Sequence, residues 1–429
     1  MTTSPGQQFY QHGLRRVTGR DTGERHRAAS VLELFFDLNF VTAFGTASSQ
    51  LAHGIAEGHS GGATIAFLIA VLAIVWAWTG YTWLASAFDN DDWLFRLLTL
   101  VQMAGVIVLA IGIPSLFRSI EEGHHFSGTV MVAGYVVMRV AVIAQWLRVA
   151  VDDRDHRGLA ITSALVVAVA QCLWVLFILL PLSLEVSLGL IVVFWLIDLA
   201  GPLVAEAWSR RHGAGGSPWH AHHIAERYSL LAIIAIGETI TGTLAAAQEI
   251  SQSSGWTTDA VVVIAVGVLI SFALWWTYFL IPSGPVLDAR RDKVAPWAYG
   301  HSVLFASIAA VGAGLHVTGY VYAEDFHVST LTAIMSISIP VLVFMICIYA
   351  LHTWLVGSVS RNPAHVITFA APIAASLLAA TGWPLWACLL IVAASPVAVI
   401  ISYELFEWRW LAAQLDEALA RGGDARISG

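Results

Sequence analysis

Long apolar stretches recur along this chain of 429 residues, and they constrain its fold more than any other feature. From Ala28 onward, most of them have the roughly 20 residues that an α-helix needs to cross a bilayer. Only 12% of the residues are Asp, Glu, Lys or Arg, whereas a soluble domain carries about 25%. We therefore predict an all-α integral membrane protein whose first partner is the lipid bilayer. A disordered chain, a coiled coil and a nucleic-acid-binding protein are excluded.

The apolar stretches predict about twelve transmembrane helices, with ends defined to within a few residues. Two connections, at 181–184 and 381–384, are so short that a re-entrant segment is an alternative there. The predicted spans are 30–53, 63–86, 95–117, 128–150, 159–180, 184–208, 223–248, 258–282, 296–318, 328–355, 364–381 and 384–406.

The distribution of positive charge supports this number of spans. If the N-terminus is cytoplasmic, all but three of the 21 lysines and arginines fall on the cytoplasmic side. Arg118 falls on the opposite side, and Arg139 and Arg227 fall inside predicted helices. Cytoplasmic loops are enriched in Lys and Arg, and one miscounted helix would destroy the asymmetry. Both termini are therefore predicted to be cytoplasmic.

The two halves of the chain resemble each other at matched positions. Aligning them superposes Glu33 on Glu226 and Trp78 on Trp276. Six spans in each half give both halves the same orientation, and transporters with such parallel repeats bind substrate between the repeats. Chance alignment of apolar sequence is the alternative. The prediction is a basic N-terminal segment, a six-helix repeat, a cytoplasmic linker, a second six-helix repeat and a cytoplasmic tail, at 1–29, 30–208, 209–222, 223–406 and 407–429.

Three motifs, in order along the chain, resemble those of the low temperature requirement A (LtrA) family of bacterial multipass membrane proteins. They are ELFFDLNFV at Glu33–Val41, HIAERYSLLAIIAIGETI at His223–Ile240 and LWWTYF at Leu274–Phe279. The resemblance extends from about 31 to about 407. Asn39 departs from it, because the family usually has an aliphatic residue after FFDL. The resemblance implies a bacterial inner-membrane protein with a part in growth at low temperature, and it leaves the chemistry open.

Ionisable side chains at membrane depth are costly, and they mark functional sites or structural ion pairs. Asp37 is predicted either to bind a proton or cation, or to lock the first span to Arg139 or Arg227. Arg139 needs an acidic partner, with a substrate anion as the alternative. The predicted binding residues for substrate, proton or ion are Asp37, Arg139, Asp198, Glu238, Thr241 and His301.

The motif GETITGT, which contains Glu238 and Thr241, predicts either a hydrated polar cavity or interhelical hydrogen bonds in a packed core. Its glycines, Gly237 and Gly242, would let another helix approach closely. His301 is predicted to be either a proton relay or a core histidine with both nitrogens satisfied.

Other charged and aromatic residues have structural interpretations. Glu33, Glu226 and Arg227 are predicted to form structural ion pairs, the last two by snorkelling to the membrane surface. Phe36, Tyr228 and Trp276 are predicted to line an aromatic cavity. An aromatic belt at the membrane surface is the alternative for the clustered aromatic residues, including those at Trp76, Trp78 and Tyr81. The three cysteines are far apart, so no disulfide framework, metal site or cofactor is expected.

The favoured function is a secondary transporter or permease for an unidentified small solute, coupled to protons through Asp37 and Glu238. The chain has no Walker A loop, so primary pumping by ATP is excluded. An intramembrane enzyme acting on a lipid or apolar metabolite is one alternative, with the same carboxylates and His301 as its acid–base groups. A scaffold or sensor without transport is the other.

Overall fold

The computed structural model describes residues 13–24, 27–123, 125–213, 216–253, 255–358, 360 and 362–427. These residues are helical and contain no β-strand. Parts of the predicted basic N-terminal segment, at 1–12 and 25–26, lie outside the described residues, as does Arg361 of the cytoplasmic charge pattern.

The described residues form fourteen α-helices. In chain order, α1 to α14 are Val31–Ala56, Ser60–Phe88, Trp93–Glu122, Thr129–Asp152, Arg157–Leu179, Leu184–Arg211, Ala221–Ser253, Thr258–Phe279, Ser283–Ala289, Val294–Tyr320, Thr330–Val356, His365–Ala380, Leu385–Ile401 and Trp408–Ile427. A 3-10 turn at Arg291–Lys293 leads into α10. A π-helical segment at Ser402–Glu407 joins α13 to α14.

Ten helical segments of the described chain are long and apolar enough to cross a membrane. Each of the twelve predicted spans coincides with a helix, and the ends differ by a few residues. The helix α1 is not among the ten, and α12 has 16 residues, short of the usual length of a span. The chain is therefore a multipass helical membrane protein, and the number of twelve spans stays a prediction.

Local sequence sets several of the helix ends. The side chains of Asp92 and Ser329 each accept a hydrogen bond from the backbone N–H three residues later, at 2.9 and 3.0 Å. These bonds cap the N-termini of α3 and α11. Gly123 and Gly357 end the same two helices with φ of 74° and 81°, the left-handed region that favours glycine.

The structure divides into two compact units. The first comprises the described residues of Met1–Asn39 and Ala77–His220, in which α3 packs on α4, α4 on α5 and α5 on α6. The second comprises those of Phe40–Trp76 and Ala221–Gly429. In it, α7 packs on α8 and α10, α11 on α10 and α12, and α13 on α8 and α12. Both α1 and α2 contribute residues to each unit. The predicted pair of six-helix repeats stays a prediction.

Candidate functional site

The first unit holds an ion pair in the middle of two membrane-spanning helices. Arg139 lies near the centre of α4 and Asp198 near the centre of α6. Arg139 Nη2 is 3.1 Å from Asp198 Oδ1, and the Tyr135 hydroxyl donates a hydrogen bond to Oδ2 at 2.5 Å. Arg139 and Asp198 are only 3% and 2% exposed. The acidic partner predicted for Arg139 is therefore Asp198.

The guanidinium group of Arg139 is held from several sides. Tyr135 lies four residues earlier on the same face of α4, and its ring centroid is 5.7 Å from the guanidinium carbon. A Cβ at Gly80 would lie 2.3 Å from Arg139 Nη1, so this glycine gives the guanidinium room beside α2. The Nε and Nη1 atoms of Arg139 are buried and have no hydrogen-bond partner among the described residues. Arg139 therefore keeps donors beyond those that bind Asp198.

Aromatic rings surround this ion pair. Tyr135, Trp174 and Trp195 lie with ring centroids 5.6 to 6.2 Å apart, in edge-to-face arrangements. The indole N–H groups of both tryptophans are buried without a partner in the described residues, as is the amide of Gln171 one turn from Trp174. Most buried polar atoms in proteins are hydrogen-bonded, so such a concentration is unusual. The helices α4, α5 and α6 therefore enclose a polar site that contains the predicted binding residues Arg139 and Asp198 together with residues that were not predicted: Tyr135, Gln171, Trp174 and Trp195.

Asp37 is another predicted binding residue of the first unit. Its Oδ1 atom accepts a hydrogen bond of 2.7 Å from the indole Nε1 of Trp78, and both residues are buried. Trp78 and Gly80 are two residues apart and point to opposite sides of α2. Since Arg139 packs against Gly80, Asp37 and Arg139 approach α2 from different sides. The predicted lock between Asp37 and Arg139 is therefore wrong, and its pairing with Arg227 stays a prediction.

Glu33 belongs to a charged cluster at one end of α1. Its carboxylate accepts a hydrogen bond from the Ser30 backbone at 2.7 Å, and the Ser30 hydroxyl accepts one from the Glu33 backbone at 3.2 Å, a capping box. The guanidinium of Arg27 lies 3.9 Å from Glu33 and 3.9 Å from Asp89. All three residues are buried. Glu33 thus takes part in a structural ion pair, as predicted.

Burial changes the acidity of this cluster. Desolvation lowers the pKa of Arg27 to about 10 despite the nearby Glu33 carboxylate. Desolvation, followed by repulsion from Glu33, raises the pKa of Asp89 to about 6. The Asp91 backbone N–H, at 2.7 Å from Asp89 Oδ1, opposes that rise. Asp89 is therefore a carboxyl group that changes its charge close to physiological pH.

Glu238 is the mid-span carboxyl group of the second unit. It lies at the middle of the 33 residues of α7 and is 5% exposed. Among the described residues it has no cationic partner, and its carboxylate meets only the Thr241 hydroxyl, at 3.5 Å. A Cβ at Gly45 would lie 3.6 and 3.7 Å from the two carboxylate oxygens. Gly45 of α1 therefore lies directly beside the carboxyl group, at a distance where a methyl group would just make contact.

The surroundings of Glu238 are packed on one side and open on another. A Cβ at Gly242 would lie 2.0 Å from the carbonyl oxygen of Gly312, so α7 and α10 are in backbone contact there, as the sequence predicts for Gly242. A Cβ at Gly237 would meet no atom within 4 Å. Thr239 donates to Ser271 on α8 at 2.7 Å, which is the predicted alternative of interhelical hydrogen bonding. The hydrated cavity stays a prediction.

His301 is a core histidine with both ring nitrogens satisfied. Its Nδ1 is 2.7 Å from the Trp297 carbonyl oxygen, and its Nε2 is 3.2 Å from the Tyr278 hydroxyl. Tyr228 packs edge-on against its ring at 5.1 Å. About eleven residues of α10 separate His301 from the Gly312 contact with α7, which corresponds to roughly 16 Å. His301 therefore belongs to an aromatic core and is remote from Glu238.

The other predicted aromatic and charged residues are dispersed. Phe36 is buried against Tyr81, with ring centroids 3.9 Å apart, and Trp276 donates to Glu404 at 3.0 Å. Arg227 is fully buried and Glu226 is half-buried, so snorkelling of Arg227 is wrong. The aromatic belt is also wrong for three residues, which are buried inside the protein: Trp76, Trp78 and Tyr81.

A polar cluster around the π-helical segment was missed. Glu407 lies 3.0 Å from His365 Nε2 and accepts a hydrogen bond from Ser402 at 3.2 Å, and the Tyr349 hydroxyl contacts His365 Nδ1. The last predicted span ended at 406, so only Glu407 of this segment was predicted to belong to the tail. The signal available in the sequence was the pair of charged residues at the end of the apolar stretch, Glu404 and Glu407. π-helical turns are rare and frequently occur at functional sites.

Comparison with known proteins identifies the relatives of the chain. The sequence model of the family described as "Bacterial low temperature requirement A protein (LtrA)" matches residues 28–396. An uncharacterized protein of Rhizobium meliloti (strain 1021) is 26% identical over 321 residues, which cover 71% of this chain and 72% of the relative. The residues matched by the family model include α1 to α12 and most of α13, and thus Arg139, Asp198 and Glu238.

Proposed function

The chain belongs to the bacterial low temperature requirement A (LtrA) family, and we propose that it is a secondary transporter or permease for a small solute. In this proposal it has twelve spans in two parallel six-helix repeats and lies in the bacterial cytoplasmic membrane, with both termini in the cytoplasm. The distribution of Lys and Arg supports that orientation. The coincidence of a helix with each predicted span supports the number of spans.

The observation that carries the proposal is Glu238. An ionised carboxylate that is buried without a cationic partner is very unfavourable in a low-dielectric medium. The group therefore has to carry a proton or bind a cation, and in this proposal either species reaches it from the side of Gly237, where an added Cβ would meet no atom within 4 Å. A group that gains and loses a cation at mid-membrane is the element that couples solute movement to an ion gradient. Thr241 is the neighbouring hydroxyl ligand.

The Arg139–Asp198 pair has a different role in this proposal. Arg139 keeps its proton, and the spare Nε and Nη1 donors bind a polar group of the solute beside Trp174 and Trp195. Asp198 keeps the site neutral when no solute is bound. Asp37, held by Trp78, is the second carboxyl group that exchanges a proton during transport.

Flux measurements test the proposal. The purified protein is reconstituted in phosphatidylethanolamine–phosphatidylglycerol vesicles that contain a pH-sensitive dye. A panel of amino acids, organic acids, amines and inorganic cations is then applied one at a time. We expect at least one solute to move protons, and Glu238→Gln and Asp37→Asn to reduce the rate about tenfold or more. Glu185→Gln, which removes an exposed carboxylate at the start of α6, is the matched control and should retain the rate.

The outcomes separate the competing functions. If Glu238→Gln and Asp37→Asn gave the same flux as the unmodified protein, this result would contradict the coupling role of these carboxylates. Mass spectrometry of the recovered vesicles detects the alternative of an intramembrane enzyme as a chemically changed lipid or solute. Absence of any flux, combined with normal growth in the cold for cells that carry the two variants, would favour a scaffold.

A further inference from the structure

The second unit contains an open cavity of about 450 Å³ that none of the predicted site residues lines. Its walls come from the turn before α10, the end of α11 and the last described turns of α14. Eight residues line it. Three of them are cationic, Arg290, Lys293 and Arg421, and the others are Tyr349, Ala350, Thr353, Trp354 and Gly357. No lining residue is acidic. The cavity is therefore suited to an anion.

The cationic side chains are held in place by contacts along their length. The Lys293 ammonium lies 4.2 Å from the centroid of the Trp354 ring, and the Trp354 indole donates to the Lys293 carbonyl oxygen at 3.0 Å. Arg421 donates to the carbonyl oxygen of Val356, at the end of α11, at 3.2 Å. A Cβ at Gly357 would lie 3.5 Å from Arg421 Nη1, an ordinary contact distance, so the guanidinium packs directly against the end of α11. Lys293 and Arg421 are thus each held in place by contacts with α11.

The nearest carboxylates leave these charges largely available. Asp292 lies 3.7 Å from Arg290 Nε and 3.9 Å from Lys293 Nζ, and Glu417 lies 3.9 Å from Arg421. Both carboxylates are exposed, at 65% and 59% of their side-chain surface, and long exposed ion pairs of this kind contribute little. Arg290 Nη1 is buried and has no hydrogen-bond acceptor among the described residues. Donors for an incoming anion are therefore present.

The cavity lies at the ends of membrane-spanning helices. It lies where α11 ends, beside the turn that precedes α10 and beside α14, the helix that follows α13. Basic pockets at such a position bind phosphate head groups, and an arginine fork matches phosphate oxygens. We propose that this cavity binds a phosphate-bearing anion, supplied by the head group of an anionic phospholipid or by a soluble phosphate compound. The proposal does not depend on transport by the two mid-span sites.

Lipid binding measured by native mass spectrometry tests the proposal. The full chain in detergent is titrated with phosphatidylglycerol or with phosphatidylcholine, which has no net charge. We expect phosphatidylglycerol to bind the unmodified protein more tightly, and Lys293→Gln and Arg421→Gln each to weaken it about fivefold. Arg409→Gln removes a charge of the same helix, α14, outside the cavity, and should leave the affinity unchanged. Lys293→Arg, which keeps the charge, should also retain most of the affinity.

A second arm identifies the source of the phosphate. Inorganic phosphate is added to the protein loaded with phosphatidylglycerol, and displacement at millimolar concentration would indicate a soluble ligand. Retention of the lipid would indicate a head-group site. Equal binding of both lipids with no effect of inorganic phosphate would overturn the proposal, as would equal losses in Arg409→Gln and Arg421→Gln. Size-exclusion profiles of all variants verify that they are folded.

Discussion

The two units solve the problem of a charge at mid-membrane in different ways. In the first unit, Arg139 and Asp198 neutralise each other at 3.1 Å, and Tyr135 occupies the second carboxylate oxygen. In the second, Glu238 is also buried, but among the residues that the structure describes its carboxylate has only the Thr241 hydroxyl, at 3.5 Å. A charge with a fixed counter-charge is a permanent part of the structure. A carboxyl group without one needs an exchangeable cation, and exchange is what a coupled transporter requires.

The difference has an energetic consequence that mutations can measure. Removal of one partner from a buried ion pair leaves an unpaired charge, whereas replacement of both by apolar residues is often neutral. A carboxyl group that is already neutral loses nothing when it becomes an amide. The two mid-span sites should therefore respond in opposite ways to the same acid-to-amide substitution.

The largest expected effect is at the ion pair. Asp198→Asn leaves the Arg139 guanidinium charged and buried, and we expect the free energy of unfolding to fall by about 3–5 kcal/mol. The double variant Arg139→Met/Asp198→Leu should recover most of the loss. Thermal unfolding in detergent measures both. If the loss of stability in the double variant equalled the sum of the losses in Arg139→Met alone and Asp198→Leu alone, the two residues would not be coupled. The contrast between the two units would then fail.

The next effect concerns the packing beside Glu238. Gly242→Ala places a Cβ 2.0 Å from the Gly312 carbonyl oxygen, so α7 and α10 have to separate. We expect a loss of about 1–3 kcal/mol of stability. Gly237→Ala on the same helix is the matched control, because its Cβ meets no atom within 4 Å. Equal stability of the two variants would mean that the helices near Glu238 are not held together.

The pH dependence of stability should reveal the charge change of Asp89, a carboxyl group of the first unit outside the ion pair. Its pKa is raised from 3.8 to about 6, so the folded state binds its proton more tightly than the unfolded state. Stability should therefore fall as pH rises from about 4 to about 6, by on the order of 1 kcal/mol. Asp89→Asn should remove this part of the pH dependence. Melting temperatures across pH 4 to 7 measure it.

The pH profile also has to separate Asp89 from its neighbours. Glu33, Arg27 and Arg20 are the charged groups that act on it: Glu33 raises its pKa, and the two arginines lower it. Glu33→Gln should lower the pKa of Asp89 by removing the repulsion, and thus shift the pH-dependent loss of stability to lower pH. An unchanged profile in Asp89→Asn would assign the dependence to another group.

The positions of the helices could be predicted because a membrane span is encoded by a continuous apolar stretch. The partner of Arg139 could be narrowed to an acidic residue in another span, since an arginine in the membrane needs one. Distances between helices are not encoded this way, so Tyr135, Trp174 and Trp195 were missed. Trp78 was misjudged as a candidate for the belt, because hydropathy does not distinguish a tryptophan facing lipid from one that donates to a buried carboxylate.

The C-terminal region shows the same limit. The polar sequence after the last apolar span was predicted to be a cytoplasmic tail beginning at 407, and Glu407 was assigned to it. In the structure, the π-helical turn at Ser402–Glu407 brings Glu407 back to His365. The basic cavity near Arg421 depends on that continuation of the helix into α14. Helix irregularities of this kind arise from tertiary packing, and the linear sequence contains no clear pattern for them.

The smallest expected change in stability is the most informative for the comparison. Glu238→Gln keeps the shape of the side chain and removes the proton-binding site, so we expect the free energy of unfolding to change by less than about 0.5 kcal/mol at pH 7. Transport should nevertheless be lost, as argued above. A hydrophobic carbodiimide, which reacts with protonated carboxyl groups in apolar surroundings, should modify Glu238 in the unmodified protein, and peptide mass spectrometry detects the adduct. A loss of stability comparable to that of Asp198→Asn would mean that Glu238 is a charged group balanced by a bound cation at pH 7, and the contrast between the two mid-span sites would fail.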